Sequence, residues 1–158
     1  MKKIKIFQVD AFAHTLFSGN PAAVCPLESW LDNDIMQSIA QENNLSETAF
    51  VDLDQWPYGI RWFTPKAEVD LCGHATLAAA KILFDRILER EKNDISFVSA
   101  RGILSAKKIG KRIYLDFPAD FPREVQLDNK IVSALNSMPE RIYKGQDDYL
   151  AIFKKEED

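Results

Sequence analysis

The 158-residue chain has no apolar run near the roughly 18 residues that a membrane-crossing helix needs, so no membrane location is expected. Its start, Met1-Lys2-Lys3, is basic, but the residues that follow alternate instead of forming an apolar segment, and no secretory leader is read there. Cysteine is scarce. Cys25 and Cys72 are the only two, too few for a disulfide framework and suited to a reducing cytoplasm. With His14 and His74 they show no paired C-x-x-C or H-x-x-x-H spacing, so no metal site is expected. A basic stripe is also missing. Lys2-Lys3, Lys107-Lys108 and Lys111-Arg112 read as solvated strand ends or hairpin tips, and with a net charge of −4 they exclude nucleic acid as a partner. There is no internal repeat and no low-complexity segment. What is present is core material: 46% hydrophobic residues, ten Phe and three Trp, enough for a soluble globular domain.

Alternation and β-branched content predict a strand over 4–12, and Ser18-Gly19-Asn20-Pro21 a turn before a short strand at 22–25. A helix capped by Asp32 or Asn33 is expected to run to Asn44, with Ile35, Met36, Ile39 and Ala40 as its apolar stripe. Strands follow at 47–53 and 58–63. From Gly73 or His74 to about Leu88 the residues are apolar on nearly every side, which predicts a helix wrapped by other elements. Three more strands are expected at 95–99, 102–107 and 112–117. The prolines of Phe117-Pro118-Ala119-Asp120-Phe121-Pro122 mark a boundary. Beyond it a short helix at 127–135 and strands at 141–143 and 149–153 carry few core candidates. The sum is an α+β fold: a strand-rich lobe folded around one buried helix.

The residues with chemistry cluster at two places. Asp70-Leu71-Cys72-Gly73-His74-Ala75-Thr76 is a polar turn that opens the apolar helix, and free N–H groups at a helix start attract anions. His74 is there either a satisfied polar residue or, as a neutral ring, a group that orients a substrate carboxylate or hydroxyl. Cys72 is either a small buried residue or a thiol whose pKa the helix start lowers. Asp70 either caps the helix or holds His74. The second place is Asn44-Leu45-Ser46-Glu47-Thr48-Ala49-Phe50-Val51, where an acid opens an apolar strand. Glu47 is a solvated strand end or, facing a cleft, a group that accepts a carbon-bound proton. Ser46 beside it offers a hydroxyl and an N–H. The turn at 18–24 delivers Asn20 to a fixed place, and Cys25 belongs to the core.

Several stretches in order now point one way: Asp10-Ala11-Phe12, Ser18-Gly19-Asn20-Pro21-Ala22-Ala23-Val24, Leu45-Ser46-Glu47-Thr48-Ala49-Phe50, and Arg61-Trp62-Phe63-Thr64-Pro65 with Glu68-Val69-Asp70-Leu71-Cys72-Gly73-His74-Ala75-Thr76. Together they closely resemble the phenazine-biosynthesis-like (PhzF-type) proteins, relatives of diaminopimelate epimerase. The resemblance implies two lobes, each a barrel or roll around a central helix, with the active site in the cleft between them. It also implies an isomerase that moves a proton on a small carboxylate substrate without metal or organic cofactor. Glu47 matches the family's general acid/base and His74 a substrate-binding histidine. Gly73 and Ser46 match positions that hold the substrate carboxylate. Cys72 stands where the epimerase branch has a catalytic cysteine, whereas the branch with Gly-His after it works through the Glu.

Residues 1–117 are accordingly expected to form the first lobe, and 118–158 a linker with the incomplete start of the second. The family's second Gly-rich segment with its acidic residue has no counterpart after Pro122, so a truncated form with impaired activity is expected. Two alternatives stand beside the isomerase: a racemase or epimerase using Cys72, and a non-catalytic lobe that binds small acids or pairs with itself as a homodimer.

Overall fold

The computed structural model describes residues 3–88 and 92–155. It divides into two compact units, Met1–Pro118 and Ala119–Asp158. The first is built on one mixed sheet of strands β1 (Phe7–Ala11), β2 (Asn20–Leu27), β3 (Glu47–Asp52), β4 (Tyr58–Phe63), β5 (Glu68–Val69), β6 (Asp94–Ser99), β7 (Gly102–Ile109) and β8 (Arg112–Asp116). Their spatial order is β1-β2-β3-β4-β6-β7-β8, with β5 beside β4. The pairs β2/β3 and β4/β6 are parallel and the rest antiparallel. A parallel pair needs a crossover. Helix α1 (Asn33–Asn43) provides it between β2 and β3, and helix α2 (Gly73–Ile82) lies in the connection from β4 to β6.

Strands β2 and β3 bury residues on both faces because a helix covers each face, and β4 does so at Trp62 and Phe63. Period-two alternation sends Ala22, Val24, Ala49, Val51, Ile60 and Trp62 into the core around α2. The intervening Cys25, Leu27, Phe50 and Phe63 go to the core under α1, with Met36 and Ala40. The α2 core is possible because the helix is thin. Ala75, Ala78, Ala79 and Ala80 are fully buried, and the backbone of an alanine helix approaches a curved sheet closely. The helix runs on as a π turn, Leu83–Ile87, that buries Leu83 and Phe84. The sheet curves around α2 as a half-barrel, so the expected roll around a central helix is what forms.

Details depart from expectation where local chemistry decides. Strand β1 begins only at Phe7 and stops at Ala11, because Phe12 takes a left-handed conformation (φ 58°). In α1, Met36 and Ala40 are buried, but Ile35 is 46% exposed. Asp32 sits at the N-cap without a side-chain capping bond; its carbonyl accepts from the N–H groups of Ile35 and Met36. Strands β5 and, in the second unit, β9 (Arg123–Val125) span two and three residues, too short to show a period.

In that second unit β9 joins β10 (Arg141–Lys144) and β11 (Tyr149–Ile152) in an antiparallel sheet ordered β11-β10-β9. Helix α3 (Asn129–Leu135) is capped by Asp128, whose Oδ1 accepts from the Lys130 N–H at 2.8 Å, and it buries no residue. Ile142 is the one fully buried hydrophobic side chain among this unit's described residues. No helix of the described residues is long and apolar enough to cross a membrane. The packing of α2 makes a direct prediction: Ala79→Leu lowers stability by about 1–3 kcal/mol through overpacking, whereas Ile35→Gln stays within about 0.5 kcal/mol, as read from urea unfolding of both variants.

Candidate functional site

Glu47 is the first residue of β3 and shares its face with Ala49 and Val51, the face turned toward α2. What sets this register is the end of α1: Asn44 takes the left-handed C-cap conformation (φ 49°), and its N–H bonds the Ala40 carbonyl. The chain then turns through Ser46 into the strand. The other half of the site comes from the start of α2. Cys72 is its N-cap residue, in extended conformation (φ −146°), and its carbonyl accepts from the Thr76 N–H at 3.2 Å and the Thr76 hydroxyl at 2.5 Å.

These two starts meet. His74 Nε2 lies 3.2 Å from Glu47 Oε2, with side chains only 11% and 19% exposed. The pair is not aligned as a hydrogen bond, and both atoms are buried without a hydrogen-bond partner. The other ring nitrogen, Nδ1, lies 3.4 Å from Cys72 Sγ. His74 thus stands between a carboxylate and a thiol, one ring nitrogen toward each.

The thiol is not activated as its place at a helix start suggests. Burial is the main cause that pushes Cys72 up to about 11, and the Glu47 carboxylate adds to the rise. The backbone N–H groups of Ala75 and His74 pull the other way without offsetting it. The helix-end effect lowers a thiol's pKa where water still solvates the sulfur; here desolvation is larger. Cys25, fully buried in β2, is pushed up to about 12 by the same desolvation.

Of the residues singled out in the sequence, Glu47, Cys72 and His74 come together. Ser46 flanks Glu47, exposed, and its hydroxyl donates to Asn20 Oδ1 at 3.2 Å, which ties the start of β3 to the turn before β2. That turn requires its glycine. Gly19 has φ 104°, and a Cβ there would collide with the Ala11 carbonyl oxygen. Gly73 differs: a Cβ on it would meet nothing within 4 Å, so space is open over the first turn of α2. Asp70 neither caps α2 nor holds His74. Its carboxylate lies 3.8 Å from Nε of Arg101, a residue of the turn between β6 and β7. Nothing local to Arg101 could have marked it, because the β6–β7 hairpin delivers it from 31 positions along the chain. His14 is exposed and Cys25 lies under α1, so the four His and Cys residues do not converge. Glu47 joins Cys72 and His74 instead, one ligating atom of each lying within 4.8 Å of the others. A separate groove of about 450 Å³ runs between β1 and β8 over Leu77 and Ala78 of α2 and includes none of the three.

The chain is similar to known proteins over nearly all of its length. The family model described as phenazine biosynthesis-like protein (PhzC-PhzF) matches residues 9–140. An uncharacterized isomerase of Pseudomonas aeruginosa is 47% identical over 98% of this chain and 59% of its own length. One from Halalkalibacterium halodurans is 45% identical over 95% of this chain and 57% of its own. Among solved structures, a phenazine biosynthesis PhzF-family protein of Enterococcus faecalis superimposes with a TM-score of 0.83 at 44% identity, over 98% of this chain and 58% of that one. The chain therefore spans somewhat under three fifths of the length of these relatives. A predicted epimerase of Pseudomonas aeruginosa, at 23% identity and TM-score 0.69, shares the fold. With its half-barrel around α2 and its matched motifs, the chain belongs to the phenazine biosynthesis-like (PhzC-PhzF) family.

Proposed function

We propose that this chain carries the acid–base wall of a cofactor-independent isomerase that moves a proton on a small carboxylate-bearing substrate. The observation that carries the reading is the buried pair of Glu47 Oε2 and His74 Nε2, 3.2 Å apart and each without a hydrogen-bond partner. Buried polar atoms are normally satisfied. Two that are not, side by side beneath the open first turn of a helix, suit a site whose missing partner is a substrate.

In this reading Glu47 takes a proton from a substrate carbon and returns it to another position. His74 supports it by hydrogen bonding to a substrate carboxylate or hydroxyl. The N–H groups at the start of α2, open over Gly73, and Ser46 hold the carboxylate, because a helix N-terminus favours an anion. Cys72 lines the site as a neutral thiol. Its pKa of about 11 disfavours the alternative in which Cys72 is the base of a racemase, since a base must be deprotonated near neutral pH. Relatives at 47% and 45% identity are named isomerases, which agrees with the reaction class.

Two measurements test the assignment. Glu47→Gln is expected to cut exchange of substrate C–H with deuterated solvent by roughly 10²–10⁴-fold, with far-ultraviolet circular dichroism unchanged; Cys72→Ser retains most of the exchange. The reverse pattern would transfer the base to Cys72.

The thiols make a separate pH prediction. The folded values, about 11 for Cys72 and about 12 for Cys25, lie above the ordinary 9.0. Protonated thiols are therefore favoured by the folded state. That stability is complete below pH 9 and is lost as pH rises through 11 and 12. The urea midpoint is expected to fall across this window, and less steeply in Cys72→Ala.

A further inference from the structure

We propose that Glu47, Cys72 and His74 form a binding site for a borderline-soft divalent cation of the zinc class, and that its occupancy shuts down proton transfer. The second half of this proposal rests on the acid–base reading above; the first half stands without it.

One carboxylate oxygen, one imidazole nitrogen and one thiol sulfur lie within 4.8 Å of one another. They come from two elements, β3 and the start of α2, whose cores fix them. In a tetrahedral zinc site with bonds of about 2.0–2.3 Å, neighbouring ligand atoms stand about 3.3–3.6 Å apart. Here Glu47 Oε2 lies 3.2 Å from His74 Nε2, while Cys72 Sγ lies 3.4 Å from the other ring nitrogen, Nδ1, so only one of these spacings belongs to a single coordination sphere and the third donor stands within 4.8 Å. A metal takes only one ring nitrogen, so loading requires the His74 ring or one of its two neighbours to turn until a single nitrogen faces both carboxylate and thiol. Two of the donor atoms, Glu47 Oε2 and His74 Nε2, are buried and unpartnered, so they give up no hydrogen bond when they bind an ion.

The chemistry selects the cation. Calcium and magnesium require about six oxygen ligands, and a single carboxylate cannot supply them. Sulfur with imidazole favours zinc, cadmium or cobalt. On binding, the sulfur–metal bond forms as the Cys72 S–H loses its proton to solvent, with no change in oxidation state. The positive end of the α2 dipole opposes a cation, but it amounts to about half a charge, whereas thiolate and carboxylate together bring two negative charges. Three protein ligands leave one position for water. Once Glu47 and His74 are ligands, neither is free to handle a substrate proton. Cys25 cannot take the place of Cys72, because it packs into the other core, under α1.

The test uses the reduced chain and cobalt(II) alone as probe. The expected result is one equivalent bound with intense tetrahedral visible bands, a sulfur-to-cobalt charge-transfer band in the near ultraviolet, and release of one proton. Zinc added afterwards bleaches both bands. Cys72→Ser abolishes the charge-transfer band while Cys25→Ser keeps it. Glu47→Gln, which leaves the thiol intact, keeps the band but weakens binding by about tenfold or more. Absence of a charge-transfer band in the wild type overturns the proposal, as does a band that survives Cys72→Ser or disappears with Cys25→Ser. If the metal site is present but zinc leaves proton exchange unaffected, the inhibitory half fails. Loss of exchange in Glu47→Gln remains a separate readout, so failure of the acid–base reading is told apart from failure of the metal site.

Discussion

Helix α2 reaches strands β1, β2, β3 and β8 through a surface made largely of alanine methyl groups. That closeness is the constraint on which the first unit depends. A helix with larger side chains would stand off from the sheet, the half-barrel would open, and Glu47 would no longer arrive beside His74. Because the sheet bends around one axis, the strands that pack on the side of the helix also present their first residues to its first turn. The position of the site is therefore a consequence of core packing, and no flexible loop has to carry it. What tolerates little change is the radius of the helix, since interiors packed to crystal density transmit added volume as strain.

The electrostatics follow from the same closeness. Bringing two element starts together buries an acid, an imidazole and a thiol in a small volume, and burial treats them unequally. The thiol responds by holding its proton, since an uncharged sulfur costs little to desolvate. This separates the roles of adjacent residues that the sequence presents as a single motif. Cys72 and His74 are two positions apart in the chain, yet one is a neutral wall and the other faces the carboxylate.

Much of this was legible in the chain. The alternation over residues 4–12, the all-round apolar character of the chain from Gly73 or His74 to about Leu88 and the proline break near 118 located the first strand, the helix at the centre and the boundary. The pairing of Glu47 with His74 was legible only through resemblance to a family, because no periodicity places residues 27 positions apart in contact. Three things escaped. The αL conformation of Phe12 ended β1 early, an unusual choice for a bulky residue that no local rule favours. The partner of Asp70 came from a distant hairpin. The state of Cys72 stayed open between a buried thiol and an activated one, because a helix end and burial act in opposite directions and only three-dimensional packing shows which is larger.

One feature of the sheet has a colloidal consequence. Among the described residues its end strands, β1 and β8, each pair on one side only, and between them runs the groove over α2. The outer side of such a strand carries a row of N–H and C=O groups that any extended chain can read. The connection that follows β1 holds Phe12, Leu16 and Phe17, 67%, 87% and 98% exposed. At the start of β8 stand Lys111 and Arg112. A cationic rim repels its own copies while leaving the ladder open, so salt that screens these charges shortens the distance at which two molecules begin to stick.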